Sequence, residues 1–345
     1  MINDAIKKLV ERVDLEENEV ALIFEQMMNG EITDSQIAAY LVALRIKGET
    51  IPEITGASRI MLDKATKINH KFENAVDLCG TGGDNHGTFN VSTTASFVVA
   101  GAGIPVAKHG NRSVSSPVGS ADVLEALGIN INLDVIESEK CFNDVGIAFL
   151  FAPVYHPAMK NVAIPRKEIG IRTIFNLLGP ILNPALVKRQ VMGVYAESLI
   201  EPIAKVLRNL GSEHAMVVHG SDSMDEITVT GTTSIAELRD GIVKTYQFDP
   251  SQIGIPKYKL DELKGGKNST ENADLVLSIL KSEIDGAKRD ITLLNAAAAI
   301  LVSGTSSDFK EAVDIAVESI ESGKALKKLE ELKEFTKPGI NSNDS

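Results

Sequence analysis

The chain has 345 residues, 43% hydrophobic and 24% charged, which is enough for one large domain or two smaller ones and excludes disorder or a coiled coil over its bulk. Lys and Arg number 35 against 47 Asp and Glu. The resulting net charge of -12 argues against binding nucleic acid or an anionic membrane over the whole surface. Two cysteines, Cys79 and Cys141, argue against a disulfide scaffold or zinc ribbon and suit a reducing cytosol; with no tryptophan and 5% aromatic residues, stacking is a poor main recognition device.

Residues 1–8 carry Asp4 among apolar side chains and do not read as a secretory signal. The most apolar stretch, 95–107, contains Gly101, Gly103 and Pro105 and is too short to span a bilayer, so a cytoplasmic protein is expected.

The first 70 residues predict a compact set of helices. Ile2, Ile6, Leu9, Val10 and Val13 fall at helical spacing, and Val20, Ile23, Phe24, Met27 and Met28 repeat it before a stop at Gly30. Thr33 with Gln36 reads as a capping box for a helix bearing Ile37, Tyr40, Leu41 and Leu44 and ending at Gly48. Thr50 with Glu53 repeats the device, with Pro52 tolerated in the first turn. These stripes read as core or as a helix–helix interface.

After His70 the texture changes. The run 75–79 is apolar and breaks into glycine, as a buried parallel strand does at its carboxyl end. Strand-like runs at 104–107 and 215–219 flank a helical run at 121–127 that Gly128 ends, and helices are predicted over 272–283, 289–302, 309–320 and 325–335. The alternation predicts an α/β fold: a small all-helical domain plus a larger α/β domain whose central, mostly parallel sheet is covered by helices. Pro153, Pro157, Pro165, Pro180 and Pro184 interrupt it, predicting two short helical pieces and a crossing back to the helical domain. The expected division is 1–70 with about 166–190 as the helical domain, 71–165 with about 191–336 as the α/β domain, and a polar tail at 337–345.

Three clusters could carry chemistry. Residues 80–88 place four glycines directly after a predicted strand, where backbone N–H groups can approach an anion. The loop is neither a Walker A motif nor a dinucleotide fingerprint, and an ordinary glycine-rich turn is the lesser alternative reading. Its sequel, Asn90, Val91, Ser92 and Thr93, puts hydrogen-bonding side chains at the start of an apolar helix, a position that favours an anion and also suits simple N-caps. The second cluster, 108–116, follows the 104–107 strand and offers Lys108 as a point charge and Arg112 as a forked donor, then three hydroxyls. Two such loops beyond strand ends point together to a phosphorylated ligand, although the second alone also reads as a polar surface loop. Third, the adjacent carboxylates Asp225 and Glu226 suit Mg²⁺ or, equally, a solvated turn. His86, His109, His156 and His219 show no metal-binding spacing, and Cys79 reads as an inert residue closing a buried strand.

Four long segments, in order, resemble the anthranilate phosphoribosyltransferase family: GTGGDNHGTFNVST (80–93), KHGNRSVSSPVGSADVLEALG (108–128), HPAMKNVAIPRKEIGIRTIFNLLGPILNPA (156–185) and MDEITVTG (224–231). The likeness covers nearly the whole chain. It implies transfer of a phosphoribosyl group from phosphoribosyl pyrophosphate to anthranilate, with Mg²⁺, in a homodimer that binds neither nucleic acid nor membrane. By position it implies that Gly80, Gly83, Asp84, Thr88, Asn90, Val91, Ser92 and Thr93 hold the pyrophosphate end. It further implies that Lys108, His109, Gly110, Asn111, Arg112, Ser113, Val114, Ser115, Ser116 and Ser120 complete that site. Gly80, Asn111, Arg166, His109 and His156 would contact anthranilate, Arg166 by pairing with its carboxylate. Ser92, Asp225 and Glu226 would ligate the metal. No catalytic acid or base is assigned. The chain departs from the family pattern at Pro117-Val118 and at Ser223-Met224. A pyrimidine nucleoside phosphorylase is the nearest alternative enzyme, though it needs only inorganic phosphate and would leave Asp225-Glu226 and Asn111/Arg166 without purpose. A non-catalytic nucleic-acid-binding relative of the same fold would need a basic face, against which the net charge speaks.

Overall fold

The structure is a computed structural model that describes residues 1–83, 86–112 and 118–337. Four helices open it: α1 (Ile2–Val10), α2 (Glu17–Asn29), α3 (Asp34–Lys47) and α4 (Ile51–Lys64). Both predicted capping boxes form: the Thr33 hydroxyl accepts from the Gln36 amide, and the Thr50 hydroxyl from that of Glu53. Gly30 ends α2 at φ +75, the left-handed conformation that closes a helix without a Cβ penalty. Glu53 does more than cap. Buried against Lys47 at 2.9 Å, it also accepts from the Leu15 amide, so one carboxylate ties α3, α4 and the α1–α2 connection together. Removing one partner of such a pair costs about 3–5 kcal/mol, because a buried charge is left uncompensated.

The second part begins with β1 (Val76–Gly80), α5 (Val91–Gly101), β2 (Val106–Gly110), α6 (Ser120–Ala126), α7 (Val135–Val145), β3 (Ile147–Phe151) and the short α8 (Ala152–Tyr155). A 3-10 turn (Pro157–Val162) leads into α9 (Ala163–Ile169) and α10 (Ile174–Ile181), the two helical pieces expected of the proline-punctuated stretch. β4 (Arg189–Gly193), α11 (Ile200–Asn209), β5 (His214–Gly220), β6 (Thr233–Arg239) and β7 (Ile242–Phe248) complete the strands. The helices α12 (Ser269–Leu280), α13 (Ala287–Ser303), α14 (Phe309–Glu321) and α15 (Lys324–Phe335) close the fold.

All seven strands form one sheet in the order β3-β2-β1-β4-β5-β6-β7. The first five run parallel, and β6 and β7 are antiparallel. The chain leaves β1 toward β2 and β3 on one side and returns to β4 on the other. This reversal opens a crevice beyond the carboxyl ends of β1 and β4, where such sheets bind ligands.

Strand alternation decides what covers each face. Met192, Ala215, Val217, Ala236 and Leu238 face the helical bundle and α11, whereas Val191, Met216, Val218 and Ile235 face α5 and α13. The bundle therefore shares one continuous core with a face of the sheet. Phe24 of α2 packs on Phe175 of α10 with ring centroids 5.6 Å apart, and α9 and α10 lie against α3 and α4. Each fully buried aromatic of this kind contributes roughly 2–3 kcal/mol as an upper figure. No helix among the described residues is long and apolar enough to cross a membrane.

Candidate active site

The glycine turn after β1 meets Asp225 at the reversal of strand order. The Thr81 amide donates to the Gly193 carbonyl at 3.0 Å, and the Gly82 amide donates to Asp225 Oδ2 at 2.7 Å. A Cβ on Gly80 would run into the Asp225 carboxylate, and one on Gly193 into the Asp225 backbone. Those two strand ends are glycine because another chain segment occupies the side-chain space. Behind it, Asn295 of α13 brackets Ile227, accepting from its amide and donating to its carbonyl at 2.9 Å each way. The turn thus spends two of its N–H groups inside the protein, one of them on orienting a carboxylate.

Lys108, the middle residue of β2, is buried. Its Nζ donates to the Leu78 carbonyl and, at 3.2 Å, to Ser92 Oγ at the start of α5. Burial pulls its pKa down, while the charges of Asp77, Cys79 and Glu226 push it up. Lys108 therefore lies within electrostatic reach of Glu226 and in contact with Ser92. Beside Ser92, Asn90 Oδ1 and Thr93 Oγ1 are buried without a hydrogen-bond partner among the described residues, while Asn90 Nδ2 donates to the Val118 carbonyl. Unsatisfied polar atoms of this kind, at the N-terminus of an 11-residue helix, are what an anion or its hydration would satisfy. Thr88 forms a bridge with Lys264 and flanks that helix start.

Two histidines line the adjoining wall. His109 Nδ1 lies 3.1 Å from the Gly179 carbonyl and His156 Nε2 lies 3.0 Å from that of Leu182, with ring centroids 5.2 Å apart. The outer nitrogens, His109 Nε2 and His156 Nδ1, have no partner among the described residues. Burial drives the His109 pKa down to about 3 and lowers that of His156, so both rings are neutral at pH 7. Arg166 of α9 lies over the Phe175 ring at 4.8 Å, and among the described residues no carboxylate pairs with it. Burial lowers its pKa.

Other expected site residues have internal partners. The Arg112 guanidinium forks onto Glu125 and also meets Asp122 at 2.9 Å, so its charge is taken up within α6. The Asn111 carbonyl accepts from Ser120 Oγ at 3.2 Å, which closes the turn after Gly110. His219 Nδ1 lies 2.7 Å from the Val194 carbonyl, a packed histidine in an interior position. Desolvation raises the Cys79 thiol well above its ordinary pKa, as expected of an inert side chain. Asp84, Ser113, Val114, Ser115, Ser116 and Pro117 lie outside the described residues, as does the tail beyond Lys337.

Several residues of the site carried no assignment in the sequence. Asp77, the second residue of β1, is fully buried and accepts from the His109 amide at 3.2 Å and Asn183 Nδ2 at 2.8 Å. Burial pushes its pKa up to about 6, although Lys108, Asn183 and the His109 amide all favour the carboxylate. Gln190 of β4 donates to the Pro180 carbonyl at 2.7 Å, which fixes α10 to the sheet. An acid inside the apolar run 75–79 was a usable signal for Asp77. Nothing local distinguished Asn183 or Gln190.

Among the described residues no cluster of three His, Cys, Asp or Glu side chains could hold a metal. Asp225, Glu226 and the Ser92 hydroxyl offer oxygen donors only, and few of them. That set fits Mg²⁺, which completes its shell with water and phosphate oxygens, and does not fit a zinc site.

Residues 3–65 match the glycosyl transferase family helical bundle domain, and residues 72–326 match that family's a/b domain. The anthranilate phosphoribosyltransferase of Symbiobacterium thermophilum is 51% identical over 331 residues, covering 96% of this chain and 96% of that protein. That of Acetivibrio thermocellus is 51% identical over 344 residues, covering 100% and 99%. Among solved structures, the anthranilate phosphoribosyltransferase of Thermus thermophilus has a TM-score of 0.91 at 39% identity, covering 96% of this chain and 99% of that one. The Saccharomyces cerevisiae enzyme in complex with PRPP and Mg has a TM-score of 0.87 at 28% identity, covering 97% of each chain.

Proposed function

The chain belongs to the anthranilate phosphoribosyltransferase family, and from that membership we infer that it transfers the phosphoribosyl group of phosphoribosyl pyrophosphate to the amine of anthranilate in tryptophan biosynthesis. Identity near one half over the full length of relatives that bear this name carries the reading. The carbon–oxygen bond to pyrophosphate breaks, the amine lone pair forms the new carbon–nitrogen bond, and pyrophosphate leaves with the electron pair. The amine proton is then lost. An aromatic amine is neutral at pH 7, so the site needs no base to generate the nucleophile.

Two tasks fall to the protein. One is to stabilise charge on the leaving pyrophosphate, for which Lys108, the start of α5 from Asn90 to Thr93, and the Gly80–Gly83 turn are placed beyond the strand ends. The other is to hold the amine in line with the anomeric carbon. Arg166, with no carboxylate partner among the described residues, takes that of anthranilate, and the neutral faces of His109 and His156 line the ring. Asn111 completes this side. Ser92, Asp225 and Glu226 would hold Mg²⁺, which when bound supplies positive charge to the pyrophosphate oxygens. Gly82 keeps Asp225 oriented for that role.

The helical part, 1–70 with about 166–190, serves as a homodimerisation unit in this reading. Val10 and Ile46, 69% and 66% exposed, and Val13 and Leu22 leave apolar surface on the bundle for a second copy. A cytoplasmic location suits substrates made and used there. Loss of anthranilate fluorescence with phosphoribosyl pyrophosphate and Mg²⁺ tests the activity. No loss, alongside phosphorolysis of a pyrimidine nucleoside, would overturn it.

A further inference from the structure

Resting on the phosphoribosyl-transfer reading above, we propose that Arg172 is a positioning residue for the phosphoribosyl pyrophosphate site: it braces the carbonyl side of the glycine turn from the helical side of the crevice, without contacting the substrate.

Arg172 stands between α9 and α10, in the stretch packed on the bundle helices α3 and α4. Its Nη2 donates to the Gly83 carbonyl, and its guanidinium lies 4.5 Å from the centroid of the Tyr195 ring. Tyr195 follows β4, and its own amide donates to Thr81 Oγ1 at 3.0 Å. The contacts close a circuit: Arg172 reaches the turn directly at Gly83 and again through Tyr195 at Thr81. Gly83 has φ +78, and a Cβ there would occupy the space of the guanidinium. Glycine and arginine are thus matched in shape as well as by the hydrogen bond.

The division of labour on the turn follows from backbone geometry. Where successive residues turn their N–H groups to one side, the carbonyls face the other and need donors of their own. On the amide side, Gly82 holds Asp225. On the carbonyl side, Gly83 is held by Arg172. A guanidinium can stack flat on an aromatic ring while it donates in its plane; an ammonium cannot do both. The charges of Arg45, in α3, and of Glu49 just after it also act on Tyr195 from the helical side. With this brace removed, the turn loses its set, and the binding of the pyrophosphate end suffers before that of anthranilate.

Steady-state kinetics on the full chain with Mg²⁺ test the assignment. Arg172→Ala is expected to raise the KM for phosphoribosyl pyrophosphate about tenfold, the loss of one charge-assisted hydrogen bond, with less than about a threefold change for anthranilate. Arg172→Lys should not restore it, since charge alone cannot hold the carbonyl and the ring together. Tyr195→Leu should give the same selective rise, and the double variant should be little worse than either single one. Should Arg172→Ala fail to fold, as judged by thermal melting, Tyr195→Leu carries the test alone. Recovery by Arg172→Lys would mean a direct charge contact to the substrate and would overturn the proposal. Equal rises in both KM values, no rise, or full additivity with Tyr195→Leu would overturn it too. If the wild-type chain itself fails to turn over the two substrates, the functional reading falls before any variant is compared.

Discussion

The Gly82 amide holds Asp225 Oδ2 at 2.7 Å, joining the turn after β1 to the segment after β5 across 143 positions of sequence. One carboxylate oxygen is thereby fixed by the backbone, and the whole carboxylate is oriented by that bond. Asp225→Asn keeps an oxygen for the amide but removes the charge, and Glu226→Gln removes a second charge felt by Lys108. Both should raise the Mg²⁺ concentration for half-maximal turnover about tenfold and slow the reaction by a similar factor. Activity that follows the wild-type Mg²⁺ titration would remove the pair from the site.

Gly193 ends β4 with no room for a side chain. Gly193→Ala places a methyl group on the Asp225 backbone, which the shared packing of Asn295 and Ile227 prevents from retreating. Overpacking of this kind costs about 1–3 kcal/mol. The expected outcome is a lower melting temperature together with a loss of turnover larger than that of a surface Gly→Ala change. A variant as stable and active as wild type would show that Asp225 can move without consequence.

Arg166 lies over Phe175 without a carboxylate partner among the described residues. Arg166→Ala should raise the anthranilate KM about tenfold or more, the usual cost of losing a charge-assisted pair, with a much smaller effect on that of phosphoribosyl pyrophosphate. Equal effects on both would place the carboxylate elsewhere.

The buried titratable groups set a pH dependence of stability. His109 is held neutral down to about pH 3, whereas in the unfolded chain it takes a proton near pH 6.5. Its contribution is therefore full above pH 6.5 and is lost as the pH falls toward 3, about 2 kcal/mol between pH 7.5 and 5. His156 acts in the same direction. Asp77 opposes them. Its pKa is raised to about 6, so the folded state takes up a proton before the unfolded one and gains about 1 kcal/mol over the same interval. Urea titrations at pH 7.5 and 5 should show a net loss on acidification. In His109→Gln the stability deficit relative to wild type should shrink by about 2 kcal/mol at the lower pH. A deficit constant with pH would show that His109 is protonated in the folded chain.

Local pattern carried much of the architecture. The capping boxes at Thr33/Gln36 and Thr50/Glu53 formed as read, because a cap involves residues three apart. The strand expected over 75–79 is Val76–Gly80, and the four C-terminal helices begin and end within three residues of their expected limits. The β6–β7 hairpin was not anticipated, although its Asp240-Gly241 turn, both residues at positive φ, was a usable signal. β3 and β4, five residues each, have too little length for periodicity to separate them from buried helix.

The chemistry divides along the same line. Residue type and chain order alone pointed to a phosphorylated ligand, since glycine loops and cations after strand ends are local features. The long matched segments added the reaction. The partners were beyond that reach. Sequence offered Arg112 and Lys108 as the cations for a polyanion; in the folded chain Arg112 is bound by Asp122 and Glu125, Lys108 meets Leu78 and Ser92 at the start of α5, and Arg166 has no acid paired with it among the described residues. Asp225 with Gly82, Gly83 with Arg172 and Asp77 with Asn183 are each far apart in sequence, and each depends on angles and packing that no window of sequence contains. Which charges are already neutralised is a property of the assembled chain, because an ion pair is decided by distance in space.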